Sequence, residues 1–201
     1  MFHRGLVAAR FPAGSRAPMH TYPAKHFDLI WASPVCTEYS KALTTRERDF
    51  PLTDDRVKAA LKCIAYLQPT YWFIENPVGE LCHRPFMQPY ADYLHTTTYG
   101  HYGTDYRKAT HTWTNSAMRA PLRKCSKADP CGHVQLSGKH PVVAQAGPSK
   151  DGTLGMGSGE NVYAIPINPT KGLLWQPLQD WSAQDVGTAC LVVSVLDYSL
   201  D

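Results

Sequence analysis

No apolar run in this chain is long enough to cross a bilayer. The longest, around Leu191 to Leu196, falls far short of the roughly 20 residues that a membrane-spanning helix needs, so no membrane span is expected. No internal repeat is visible. Neither sign of charge dominates: the formal net charge is +3, and a protein that grips DNA through its phosphates alone is usually more basic. Charge therefore decides no partner. The six cysteines (Cys36, Cys63, Cys82, Cys125, Cys131, Cys190) are irregularly spaced and no secretory leader is read, which argues against a disulfide framework and for reduced thiols. Acidic residues are missing before Asp28 while Arg4, Arg10 and Arg16 are present, a charge pattern faintly shared with organelle transit peptides, but Ser15 is the one serine of that stretch.

What is present is enough for a buried core. The chain has 201 residues and is 43% hydrophobic, which predicts a globular domain with a small appended lobe. Phe27 to Ser33 is a nearly continuous apolar run stopped by Pro34, as in a strand buried on both faces of a parallel sheet. From Thr53 the apolar residues Val57, Ala60, Leu61, Ile64 and Leu67 follow the three-and-four spacing of a helix face, with Thr53 or Asp54 as cap and Pro69 as stop. Tyr71 to Ile74 then reads as a second buried strand, ended by Asn76-Pro77. Strand, crossover helix and strand make a right-handed parallel unit, and ligands collect beyond the C-terminal ends of such strands. Cys36 and Glu75 both fall at that edge. Further extended pieces are expected near His95 to Tyr99 and His111 to Thr114.

Four segments carry a resemblance. Trp31-Ala32-Ser33-Pro34-Val35-Cys36-Thr37-Glu38-Tyr39-Ser40 is similar to the nucleophile motif of cytosine-5 DNA methyltransferases, whose core is Pro-Pro-Cys directly after a strand. Phe73-Ile74-Glu75-Asn76-Pro77 resembles their Glu-Asn-Val motif. Tyr99 to Thr110, with Trp113-Thr114-Asn115, looks like the arginine-bearing motif of small viral and protist members, and Tyr163-Ala164-Ile165-Pro166 like a late Ile-Pro segment. The likeness runs in order from Phe27 to Pro166. It implies a partial S-adenosylmethionine-methyltransferase sheet of Rossmann-like α/β class, a flipped cytosine in DNA as substrate, and S-adenosyl-L-methionine as methyl donor. It also implies Cys36 as nucleophile, Glu75 as partner of cytosine N3, Arg107 as active-site arginine, and Ser33, Pro34 and Asn76 near the donor.

The chemistry accounts for those residue types. Cytosine C5 is a poor nucleophile, so a thiolate adds to C6 while a carboxylic acid near N3 takes up the charge that develops on the ring. Three features depart from the family pattern. Val35 replaces a proline, His111 stands where a second arginine is common, and no Phe-x-Gly-x-Gly turn precedes Phe27, since Phe11-Pro12-Ala13-Gly14-Ser15 is neither strand-flanked nor correctly spaced. The donor site is therefore expected to be incomplete, and the chain to be a truncated or inactive enzyme as it stands. Gly187-Thr188-Ala189-Cys190 is only faintly like the Gly-Asn-x-Val motif that closes a donor pocket.

Beyond Asn115 the sequence is rich in Lys, Gly, Pro, Cys and His and lacks periodicity to about Glu160. Cys125, Cys131, His133 and His140 lie close together there, two thiols and two imidazoles able to complete a tetrahedral zinc site. Gly152 to Gly159 reads as a loop rather than a phosphate cradle, because no Lys-Ser/Thr follows its glycines. The basic clusters (Lys41, Arg46, Arg48, Arg56, Lys58; Arg107, Lys108, Arg119, Arg123, Lys124, Lys127) read as solvated faces, with DNA contact as the alternative. The expected division is an N-terminal segment 1–26, a catalytic half 27–115, a loop-rich Cys/His lobe 116–160 and a returning segment 161–201. Two other functions stay open. Ser33-Pro34 is shared with the Ser-Pro-Pro-Tyr/Trp motif of exocyclic amino methyltransferases, although Cys36 stands where those stack an aromatic ring. A non-catalytic nucleic-acid-binding remnant fits the missing glycine turn.

Overall fold

Trp31 stacks on Phe73 with ring centroids 5.3 Å apart, one residue from each of two neighbouring parallel strands. In the computed structural model these strands are β2 (Leu29–Pro34) and β3 (Tyr71–Pro77), joined by helix α1 (Phe50–Leu67). The structure describes residues 7–10, 22–116, 122–135, 138–146, 154–156 and 190–195. The remaining strands are β1 (Val7–Arg10), β4 (Leu94–Thr98), β5 (Ala109–Thr114), β6 (Val142–Ala146), β7 (Leu154–Met156) and β8 (Cys190–Val195). Six strands pair in the order β1-β8-β2-β3-β5-β4, and β6 pairs with β7 in a separate two-stranded sheet.

Alternation along the strands sorts side chains onto two faces. Ile30, Ala32 and Ile74 point to α1 and share a buried cluster with Val57, Ala60, Ile64, Leu67 and Trp113. Trp31, Ser33, Phe73 and Glu75 take the opposite face. The helix buries residues 53, 54, 56, 57, 60, 63, 64 and 67, the spacing expected from its sequence. It begins earlier than Thr53, because Pro51 fits the first turn, where no amide donor is needed. Neither expected cap is used: Thr53 and Asp54 are both buried, and Asp54 is engaged elsewhere. Gln68, in the left-handed region at φ 47°, closes the helix with its N–H on the Ile64 carbonyl at 2.9 Å.

The sheet continues beyond β2. β8 pairs with β2 in parallel, Trp31 opposite Val192, and β1 pairs with β8. Residues 7–10 form a strand directly before Phe11, so the Phe11 to Ser15 segment is strand-flanked after all; the segment itself lies outside the described residues. β1 escapes a sequence reading because four residues with an arginine give no periodic signal. Tyr163 to Pro166 and Gly187 to Ala189 also lie outside the described residues.

The chain divides into two compact units. One comprises Met1–His95, His111–Ala117 and Ser182–Asp201; the other, Thr96–Thr110 and Met118–Trp181. The lobe expected from residue 116 thus also takes in 96–110, because Thr98 accepts the Cys125 amide at its hydroxyl, while the Arg123 carbonyl accepts from the Thr97 hydroxyl and the Thr98 amide. The lobe is not made of loops alone: Leu154–Met156 of the glycine-rich segment is a strand, with Leu154 opposite Val142. Among the described residues no helix is long and apolar enough to cross a membrane.

Candidate active site

β2 and β3 run parallel with Ala32 opposite Ile74, so Ser33 comes level with Glu75 and Pro34 with Asn76. Both strands end at the same edge. Cys36 follows two residues after β2, partly exposed and not in a disulfide, while Glu75 is 4% exposed within β3. The two strand ends are tied together. Asn76, with no exposed surface, donates its side-chain amide to the Pro34 carbonyl at 3.0 Å, and the Glu80 amide donates to the Tyr39 carbonyl at 2.9 Å.

The loop carrying Cys36 is a turn in which the Cys36 carbonyl accepts from the Tyr39 and Ser40 amides at 3.0 and 2.9 Å. Two arginines, Arg46 and Arg48, hold it from outside. Buried Glu38 receives both terminal nitrogens of Arg46, at 3.0 and 2.5 Å, and the Asp49 amide at 2.8 Å. The Arg46 guanidinium holds the Glu38 carboxyl below its ordinary value, burial opposes that, and the Asp49 amide adds to it. Arg48 donates to three carbonyls of the same loop, those of Glu38, Ser40 and Leu43. On the α1 side the Tyr39 hydroxyl donates to Asp54 at 2.8 Å, and Arg84 grips the same carboxylate through Nε and Nη2. Burial, and secondly the Asp54 hydrogen bond, push the Tyr39 phenol above its usual range.

These holding residues were not singled out in the sequence. In the basic cluster expected to be solvated, Lys41 and Arg46 are exposed, Arg46 also gripping Glu38, while Arg48 is partly enclosed by loop carbonyls and Arg56 is buried. The missed signal is the distance of Arg46 and Arg48 from Glu38: an acid eight and ten residues before two arginines, across a loop bounded by a strand and a helix.

Of the three residues assigned to the donor, Ser33 has partly exposed surface and accepts the Trp31 indole N–H at 2.9 Å. Pro34 and Asn76 are enclosed. Ser33 therefore has some surface that a bound molecule could reach, while the Asn76 amide is used within the protein. Arg107 is exposed on the stretch leading into β5 and belongs to the second unit. His111 is buried with its ring edge-on to Trp113. In the second unit, Cys125, Cys131 and His140 converge, and His133, exposed, is not among them.

No family model matches the chain. Over 125 residues it is 28% identical to a probable DNA (cytosine-5)-methyltransferase of Frog virus 3 (isolate Goorha), a match covering 55% of this chain and 56% of the relative. It is a distant likeness to a methyltransferase. The chain spans little more than half of that relative's length.

Proposed function

We propose that the chain performs the base-directed chemistry of a DNA (cytosine-5)-methyltransferase, with Cys36 as nucleophile and Glu75 as the acid at N3. The observation supporting this reading is the meeting of the two strand ends: the segments that carry Cys36 and the buried Glu75 end at one sheet edge, and the ends are tied by the Asn76 side chain on the Pro34 carbonyl. Both groups must reach one pyrimidine ring, which fixed, neighbouring strand ends provide.

On this reading the Cys36 sulfur forms a bond to C6 of an unstacked cytosine, and the displaced ring electrons are accepted at N3 with a proton from Glu75. S-adenosylmethionine, when bound, would supply an electrophilic methyl group to the C5 thereby made nucleophilic and leave as S-adenosylhomocysteine. A base, water or a side chain, then takes the C5 proton, the C6–sulfur bond breaks to release the Cys36 thiolate, and N3 returns its proton to Glu75, which restores the ring. In this reading the partly exposed Ser33 contacts the donor, and Arg107 supplies a cation for the opened strand. The likeness to a protein named as a probable DNA (cytosine-5)-methyltransferase supports the substrate class.

The test is covalent trapping. With S-adenosylmethionine and duplex DNA bearing 5-fluorocytosine, the chain should form an adduct that survives denaturing electrophoresis, because fluorine at C5 cannot leave as a proton does. Cys36→Ser should abolish it, since a hydroxyl offers almost no anion at neutral pH. Wild type that binds DNA and donor yet never traps would favour amino-group methylation, and wild type that binds DNA but no donor would favour a binding remnant.

A further inference from the structure

Within the second unit two thiols and an imidazole meet at one point. His140 Nε2 lies 3.4 Å from Cys125 Sγ and 3.6 Å from Cys131 Sγ, and all three donor atoms are within 4.8 Å of one another. Zinc binds thiolate at about 2.3 Å and imidazole at about 2.0–2.1 Å, so two such ligands on a tetrahedral ion stand about 3.6 Å apart. The observed separations are those of ligands around a common ion.

Three independent features point the same way. First, His140 Nδ1 is 3.2 Å from the Asp105 carbonyl. A carbonyl only accepts, so the proton sits on Nδ1 and Nε2 turns a lone pair to the two sulfurs, the orientation that outer-sphere partners impose on metal-binding histidines. Second, Gly100 borders the cluster so closely that a Cβ there would lie 2.8 Å from Cys131 Sγ and 2.9 Å from His140 Cε1. Third, backbone amides face the sulfurs: the Cys131 N–H is 3.4 Å from Cys125 Sγ, and the His133 N–H is directed at Cys131. Cys125 and Cys131 are each 5% exposed, which suits a structural ion better than a reactive thiol pair.

We propose that Cys125, Cys131 and His140 bind one zinc ion, occupying three corners of its tetrahedron, and that His133 serves through its backbone amide and not its imidazole. Two soft thiolates with one imidazole select zinc over magnesium or calcium. The ion joins chain segments around residues 100–105, 125–131 and 140, and so contributes to folding of this unit.

The full chain purified without chelator should contain about one zinc per molecule. Apoprotein given Co(II) should develop thiolate-to-metal charge transfer and the intense visible bands of tetrahedral cobalt. Cys125→Ser, Cys131→Ser and His140→Ala should each lower bound metal at least tenfold, His133→Ala should retain it, and His140→Cys should retain it with a stronger charge-transfer band. Wild type needs no variant to be informative: zinc should protect Cys125 and Cys131 from alkylation, read by mass spectrometry, while Cys36 stays reactive. Equal alkylation of Cys125 and Cys131 with and without zinc, or a His133→Ala protein as empty as His140→Ala, would overturn the assignment.

Discussion

Gly79 passes so close to Tyr39 that a Cβ on it would lie 2.0 Å from the Tyr39 carbonyl oxygen. Gly79 lies two residues after the end of β3 and Tyr39 belongs to the Cys36 loop, so this approach presses the two candidate catalytic segments together. Ser40 and Gly79 form an antiparallel bridge at the same place. The glycine is required by space and not by backbone angle, since its φ of −176° is open to any residue. Gly79→Ala should therefore force backbone apart, costing about 1–3 kcal/mol as other overpacked sites do. A urea midpoint and a trapping rate both equal to wild type would show that the loops are not held by this contact.

Beneath the same loop lies a polar triad. Asp54 accepts from the Tyr39 hydroxyl and from Arg84, with the Arg84 guanidinium also 4.2 Å over the Phe50 ring. Asp54→Ala strands both donors and should destabilise by about 2–3 kcal/mol, less than the full cost of breaking a buried pair because Arg84 is partly exposed. Tyr39→Phe should cost about 1 kcal/mol. Equilibrium denaturation of the two single variants and the double variant measures the coupling, and additive losses would mean that the triad does not act as a unit.

Much of this frame is legible in the sequence, for identifiable reasons. β2, α1 and β3 announce themselves through unbroken apolar runs and the spacing from Val57 to Leu67, and their order alone brings Cys36 and Glu75 to one edge. β1 and β8 are not legible as members of this sheet, because pairing across nearly the whole chain length leaves no local pattern. Nor are the roles of Arg46 and Arg48, since nothing in a basic residue's identity says whether water or a loop carbonyl receives its hydrogens. In the lobe the residue types point to a metal, but sequence proximity alone cannot tell His133, which is exposed, from His140, which converges with the two cysteines. The chain turns at Cys131 so that the His133 amide, rather than its ring, faces the sulfur.

Acid should loosen the Cys36 loop. The Glu38 carboxyl is held below its ordinary value of 4.5, chiefly by Arg46, so the folded state binds this proton less readily than the unfolded chain. The stability it contributes is fully present above that ordinary value and is lost as pH falls through the lowered folded value. Hydrogen exchange followed between about pH 3 and pH 6, corrected for intrinsic rates, should show protection of the 36–49 amides falling at the acid end. In Glu38→Gln the fall should be flattened. A variant with the wild-type pH profile would assign the acid sensitivity to another group.

Glu75 and Asn76 are adjacent in sequence but face opposite sides of β3, and this separates chemistry from positioning. Glu75→Gln keeps shape and volume and removes the acid proposed at N3, so folding and DNA affinity should hold while adduct formation with 5-fluorocytosine DNA slows by about 10²–10⁴-fold, the range general acid catalysis commonly supplies. Asn76→Asp keeps volume as well but sets a carboxylate against the Pro34 carbonyl in a site without solvent. The lost amide donor and the buried charge should destabilise the fold by about 2–4 kcal/mol, and the Cys36 loop, freed from its tie, should trap DNA more slowly. Cys63→Ser serves as the thiol control, because Cys63 is buried in α1 and burial raises its pKa. Stability curves and trapping time courses on all three proteins decide the matter: if Glu75→Gln trapped at the wild-type rate, Glu75 would be a structural residue at a strand end, and if Asn76→Asp were as stable as wild type, the Pro34 tie would not be what sets the Cys36 loop.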